Sequence, residues 1–151
     1  MKKLLVAAVF AAGLCGVSFG LECDKKVEKL KAAEIELEII VYTIDGNDWT
    51  RRDVSGTSLA SVYRVRIDDN YRICSKDIAW EPKSAEHCLK KIKQKHKKLF
   101  KQKGLEWNEE NIRAEYQRAI ETTMQAEESC KEAQKAADEA ERENRRKDIL
   151  N

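Results

Sequence analysis

The N-terminal twenty residues constrain this chain most, because they decide which cysteines the working protein keeps. Residues 1–20 combine Lys2 and Lys3, the apolar run LLVAAVFAAGL and the small residues Ser18 and Gly20. A charged, an apolar and a cleavage region in this order are typical of a secretory signal peptide. The apolar run of eleven residues is shorter than the roughly 20 that span a bilayer. We therefore predict a signal peptide over 1–20 and no transmembrane segment after its removal.

Cleavage after Gly20 would remove Cys15 and leave an even set of cysteines. The four that remain are Cys23, Cys74, Cys88 and Cys130. An even number in an exported chain predicts a disulfide framework in an oxidising compartment. The sequence therefore predicts two disulfides and a periplasmic or secreted location.

The net charge of the chain resides in the predicted signal peptide. The full chain has 29 basic and 27 acidic residues, and 1–20 contains two lysines but no acid. The remaining chain is balanced, which gives no support to nucleic-acid binding. Its length of about 130 residues suits one core, so we predict a single helical domain over 21–151.

Apolar residues recur every three or four positions over most of this domain, which is typical of amphipathic helices. The first stripe comprises Cys23, Val27, Leu30, Leu37, Val41 and Ile44. A second helix is predicted over 57–80, and a third over 84–103 with Ser84 as its N-cap and Gly104 as its stop. A fourth begins after Asn108 as its N-cap, with Trp107 and Ile112 as a hydrophobic staple.

Four helices with short connections predict an all-α fold, a disulfide-stapled antiparallel four-helix bundle with a long C-terminal helix. All four cysteines then fall at one end of the bundle. The first and fourth helices have matching lengths, so we prefer the pairs Cys23 with Cys130 and Cys74 with Cys88. The pairing that joins the first helix to the second and the third to the fourth stays open. The small residues of 131–151 predict a helical tail that protrudes or self-associates.

The competing fold hypothesis is α+β, with a small antiparallel sheet in residues 38–79. The segments EIIVYTIDG and VYRVRIDDN are rich in β-branched and aromatic residues and end in turn-forming residues. The placement of the cysteines at one end of a bundle favours the helices.

The sequence has no pattern that indicates catalysis. His87 and His96 are nine residues apart, so on one helix they point to opposite sides. The adjacent His87 and Cys88 indicate a metal pair only if Cys88 is a free thiol, which an oxidising compartment disfavours. Phosphate-binding loops, nucleophile elbows and zinc-protease motifs are absent. We predict a protein that is not an enzyme and needs no metal or cofactor.

The loop 45–56 contains the first candidate binding residues, Trp49, Arg51 and Arg52. Tryptophan and arginine are the residues that most often anchor protein contacts. These residues predict an exported module that binds a protein partner in the cell envelope, as an inhibitor, an immunity factor or an accessory protein would. The equally weighted interpretation is that Trp49 closes the open end of the core.

The helix 84–103 contains the second candidate, a polyanion face of Lys90, Lys93, Lys97 and Lys101. A polyanion-binding envelope protein is therefore the alternative function. The following helix is rich in glutamate, so we expect the two helices to compensate each other's charge. The lysines lack interleaved arginine or stacking aromatic residues, which argues against recognition of nucleic-acid bases.

Overall fold

The structure is a computed structural model that describes residues 16–66 and 82–151. These residues contain four α-helices and no strand: α1 Gly16–Ile44, α2 Leu59–Arg66, α3 Pro82–Gln102 and α4 Glu109–Leu150. The predicted all-α fold is confirmed for this part of the chain. The four-helix bundle stays a prediction, since α2 has only eight residues. None of the helices described is both long and apolar enough to cross a membrane.

The alternative of a small sheet is wrong for the described part of 38–79. Residues 38–44 belong to α1 and residues 62–66 to α2. β-branched residues favour strands only weakly, and burial in a core overrides that preference. Ile39 and Ile40, which suggested a strand, are 0% and 1% exposed on α1. The rest of the predicted sheet, 67–79, and the rest of the predicted second helix, 67–80, lie outside the described residues.

Glycines end α1 and α3 in the same way. Gly46 and Gly104 have φ angles of 82° and 70°, a left-handed conformation that glycine adopts without steric penalty. After α3, the amide of Leu105 donates to the carbonyl of Phe100 at 2.9 Å, and that of Gly104 donates to Lys101 at 3.1 Å. This pair of hydrogen bonds is a Schellman motif. The predicted stop at Gly104 is therefore confirmed.

The starts of α3 and α4 differ in how well the sequence predicts them. α3 begins at Pro82, so the prediction of Ser84 as its N-cap is wrong; a proline is well suited to the first helical position because its φ angle is already helical. α4 is capped as predicted, since Asn108 Oδ1 accepts a hydrogen bond from the amide of Asn111 at 2.8 Å. Trp107 and Ile112 pack in the same core, as the hydrophobic staple requires.

The larger of two compact units is Glu28–Thr123, and it contains the hydrophobic core. The buried core residues are Ile35, Leu37, Ile39, Ile40, Trp49, Ala60, Ala85, Cys88, Ile92, Phe100 and Ile112. On α1, the buried residues between 32 and 40 cover about 200° of the helix circumference. The predicted single stripe is therefore too narrow, and Ile44, its last member, is 36% exposed.

The smaller unit includes described residues 16–27 and Met124–Asn151. A disulfide joins Cys23 to Cys130, with 5.9 Å between their Cα atoms; it is one of the two preferred pairs. Cys88 is also disulfide-bonded, but its preferred partner Cys74 lies outside the described residues. Residues 134–151 are exposed throughout. The predicted cleavage after Gly20 falls within α1, and nothing in the structure tests it.

Candidate functional site

The first candidate residue, Trp49, is part of the core. Its side chain is 4% exposed, and its carbonyl accepts a hydrogen bond from the amide of Ala60 at 3.2 Å. This position agrees with the interpretation that Trp49 closes the core. Arg51 and Arg52 follow it on the surface and are exposed. The structure therefore separates the buried indole from the two exposed guanidinium groups.

Two aspartates give the loop around these arginines a defined conformation. Asp48 Oδ1 accepts hydrogen bonds from the hydroxyl and the amide of Thr50, at 2.6 and 2.9 Å. Asp53 Oδ1 accepts hydrogen bonds from the hydroxyl and the amide of Ser55, at 2.5 and 2.8 Å. These donors lower the pKa of both carboxyl groups, with the Thr50 and Ser55 hydroxyls as the largest causes. Such turns between a side chain and its own backbone order a loop locally.

The second candidate, which we call the lysine face, comprises Lys90, Lys93, Lys97 and Lys101 on α3. At 3.6 residues per turn these four residues fall within about 80° of the helix circumference and extend over about 16 Å. They lie on the side of α3 opposite to Cys88 and Ile92, which are both 0% exposed. Because that opposite side is fixed in the core, the lysine face is held outward. Lys93 is half-buried and the other three lysines are exposed.

The lysine face carries uncompensated charge within the described part of the chain. None of its four ammonium groups forms an ion pair with another described residue. Lys98, which lies beside them, is also exposed and has no ion pair there. Several like charges on one helix surface raise the local potential and attract anions.

Among the described side chains, one ion pair joins the predicted helix 84–103 to α4. Lys103 Nζ lies 2.8 Å from Glu115 Oε2, while several acidic groups of α4 pair with bases on α4 itself. Arg113 contacts Glu109 at 2.8 Å, and Arg145 contacts Glu141. Side chains four residues apart on one helix are neighbours, so local pairing satisfies these glutamates first. The lysine face is left without them.

An aromatic pair lies beside the lysine face. The ammonium of Lys97 is 5.7 Å from the centroid of the Trp107 ring. Trp107 in turn packs edge-on against Phe100, with 4.9 Å between ring centroids. A cation over an indole face is attracted to the ring by about 0.5–1 kcal/mol at exposed sites. An anion that binds Lys97 therefore changes the environment of Trp107, which makes this indole a reporter of binding.

A buried polar cluster lies on the inner side of α3. Glu36 of α1 is 1% exposed, and its carboxylate accepts hydrogen bonds from Lys95 Nζ at 2.9 and 3.0 Å. His96 Nε2 is 2.6 Å from Glu36 Oε2. A buried carboxylate is stable only when its lone pairs are satisfied. No buried side-chain nitrogen or oxygen in the described residues lacks a partner. Because the hydrogen bonds of this cluster join Glu36 of α1 to Lys95 and His96 of α3, they hold the two helices together.

Opposing influences set the charge state of Glu36. Burial is the largest and would raise the pKa of this carboxyl, but the His96 hydrogen bond and the Lys95 charge together outweigh it and lower the pKa below its ordinary value. Glu38, on the same helix, has a raised pKa because it is partly buried and lies near Glu34. The surroundings of Glu36 therefore favour its ionised form, whereas those of Glu38 do not.

Acid should weaken the fold through Glu36. The pKa of Glu36 is lower in the folded protein than in the unfolded chain, so acid protonates this carboxylate in the unfolded chain first. The stabilisation by Glu36 is therefore complete above the ordinary glutamate pKa and is lost as pH falls below that pKa. We expect the free energy of unfolding to decrease below about pH 4.5. Urea unfolding at several pH values should show a shallower decrease for Glu36→Gln. Equal decreases in both proteins would contradict this assignment.

The two histidines lie in different environments. His87 is exposed, whereas His96 is 3% exposed and belongs to the polar cluster. They point apart, as their spacing predicts. Among the described residues, no group of three or more histidine, cysteine, aspartate or glutamate side chains is placed to hold a metal ion.

The burial of Glu36 was not predicted, because a charged residue on a helix is ordinarily expected to face solvent. One feature of the sequence does indicate that Glu36 is buried. Its apolar neighbours cover more than one face of α1; they are Ile35, Leu37, Ile39 and Ile40. A helix buried over so wide an arc places one of its polar residues inside. Lys95 and His96 of α3 then supply the partners.

Comparison with known proteins gives no relative from which a function could be transferred. No family model matches the chain, and no curated protein sequence or solved structure matches it. Functional inference therefore depends on the site itself.

Proposed function

We propose that this protein is an exported binding module that attaches to a linear anionic polymer through the lysine face of α3. The observation that supports this proposal best is the set of four lysines that project from one side of α3 without an ion pair in the described residues. Several ammonium groups along one side of a helix attract a polymer with closely spaced negative charges, whether phosphates or sugar carboxylates.

Burial of Trp49 is the reason to prefer this function over recognition of a protein partner by Trp49, Arg51 and Arg52. An interface anchor must present its side chain to the partner, and hot-spot tryptophans fill pockets on the opposing surface. The Trp49 side chain is 4% exposed before any partner binds. Contact through Arg51 and Arg52 alone remains the second hypothesis.

Export supports an envelope polymer as the ligand. The leader-like residues 1–20 and the Cys23–Cys130 disulfide both fit an oxidising compartment such as a bacterial periplasm or the secreted state. Anionic envelope polymers are encountered there. Lysine, a compact and strongly hydrated charge, suits attraction to a polymer without a fixed bidentate geometry.

Replacing Lys93, Lys97 and Lys101 with glutamine should abolish most of this binding. Polyanion binding releases counterions, so the logarithm of the binding constant falls with the logarithm of salt concentration by about 0.7–0.9 per neutralised charge. We expect a slope of about 3 for the unmodified protein and about 1 for the triple variant. Fluorescence anisotropy with labelled polyphosphate and labelled polygalacturonate, from low to high salt, measures both slopes and separates the phosphate from the carboxylate source.

A charge-matched control uses three lysines of α4. Lys131, Lys135 and Lys147 are exposed, and their replacement by glutamine changes the net charge equally. This control should retain the slope of the unmodified protein. Equal losses in the two triple variants would show a response to net charge alone, and no loss in either would refute the lysine face as the binding surface.

A further inference from the structure

The described part of the smaller unit has a disulfide but little apolar packing. Among described residues 22–27 and 124–151, Val27 is the one buried side chain, at 7% exposed. The core of the larger unit, by contrast, is a contiguous cluster that extends from α1 to α4. So little buried apolar surface among these described residues contributes little free energy from packing. The bond between Cys23 and Cys130 is therefore the main link between described residues 22–27 and 124–151.

The three disulfide-bonded cysteines of the described residues differ in solvent access. Cys23 and Cys130 are each half-buried, whereas Cys88 is 0% exposed within the core. Thiol–disulfide exchange needs a thiolate to reach a sulfur atom, so its rate depends on access as well as on thiol chemistry. An external thiol therefore reaches the sulfur atoms of Cys23 and Cys130 more readily than that of Cys88.

We propose that Cys23–Cys130 is a redox latch that a dithiol opens while the Glu28–Thr123 unit stays folded. In the first step a dithiol thiolate attacks one sulfur atom, forms a mixed disulfide and releases the other cysteine as a thiolate. The second thiol of the reagent then displaces the first cysteine and closes a cyclic disulfide. The dithiol loses two electrons, and the two cysteines gain them and become thiols. The opening frees residues 124–151 from the first residues of α1.

Stepwise reduction of the oxidised full chain with dithiothreitol tests the latch. After each step, iodoacetamide traps free thiols, peptide mass spectrometry locates them, and hydrogen exchange measures backbone opening. Cys23 and Cys130 should be alkylated at a dithiothreitol concentration at least about tenfold below that for Cys88. Amides of 22–27 and 124–130 should then exchange at least about tenfold faster, while those of 35–40 and 92–100 keep their rates.

A variant without the bond gives an independent readout. The double substitution C23S/C130S should show the same local exchange pattern without any reductant and the same protection at 35–40 and 92–100. Alkylation of Cys88 together with the other two cysteines would overturn the proposal. Unchanged exchange at 124–130 after reduction, or loss of protection at 35–40 in either protein, would overturn it as well.

Discussion

Glu36→Leu should be among the most destabilising single substitutions in this protein. The change leaves His96, 3% exposed, without the carboxylate 2.6 Å from its Nε2, and removes the carboxylate oxygen 2.9 Å from Lys95 Nζ. Removing one partner of a buried charged pair typically lowers the free energy of unfolding by about 3–5 kcal/mol. For a chain of this size that corresponds to a melting temperature lower by about 10–15 °C. Urea and thermal unfolding followed by circular dichroism measure both quantities.

Two further variants show whether the loss comes from the buried cluster. The double substitution E36L/H96L removes both hydrogen-bonding groups, and buried polar pairs replaced by apolar side chains often regain stability. We expect it to regain part of the loss. Glu139→Leu, the same change at an exposed position of α4, should alter stability by no more than about 0.5 kcal/mol. A Glu36→Leu protein as stable as the Glu139→Leu control would contradict burial of the cluster.

Trp49→Ala should destabilise the fold by a comparable amount. Its indole is 4% exposed among the core residues, and truncation of a buried tryptophan or phenylalanine to alanine typically costs about 3–5 kcal/mol. Part of this loss is the transfer of apolar surface and part is the cavity left behind. Chemical unfolding of the variant measures the decrease.

The matched control for Trp49→Ala is Arg51→Ala. Arg51 is exposed two residues further along the same loop, and surface substitutions of this kind usually change stability by less than about 0.5 kcal/mol. If Trp49→Ala left stability within that range, the indole would not be a core residue. Recognition of a protein partner by Trp49 would then become the preferred function again.

Local signals in the sequence predicted the helix ends well. Asn108 caps α4, and Gly104 ends α3, because each residue type satisfies backbone groups or adopts a φ angle that few others can. α3 begins at Pro82, before the predicted N-cap Ser84, and either residue type is common near the start of a helix. The helical state of residues 38–44 could not be decided locally, because β-branched residues accept either state and burial in the core decides.

The candidate site was predictable in part. Lysines three and four residues apart on a predicted helix must share one face, so the lysine face followed from spacing alone. Whether acidic residues of α4 cover it depends on tertiary contacts, and the described ion pair with α4, between Lys103 and Glu115, lies outside the lysine face. The burial of Trp49 and Glu36 also depends on which segments pack together. A single sequence does not specify those contacts.

The most direct test of the proposed function is an amide chemical-shift map of the oxidised protein titrated with polyphosphate at low salt. We expect shifts concentrated at Lys90, Lys93, Lys97 and Lys101, together with the Trp107 indole, that disappear as salt is raised. Shifts concentrated at Arg51 and Arg52, or spread along the exposed residues of α4, would contradict the lysine face as the binding surface.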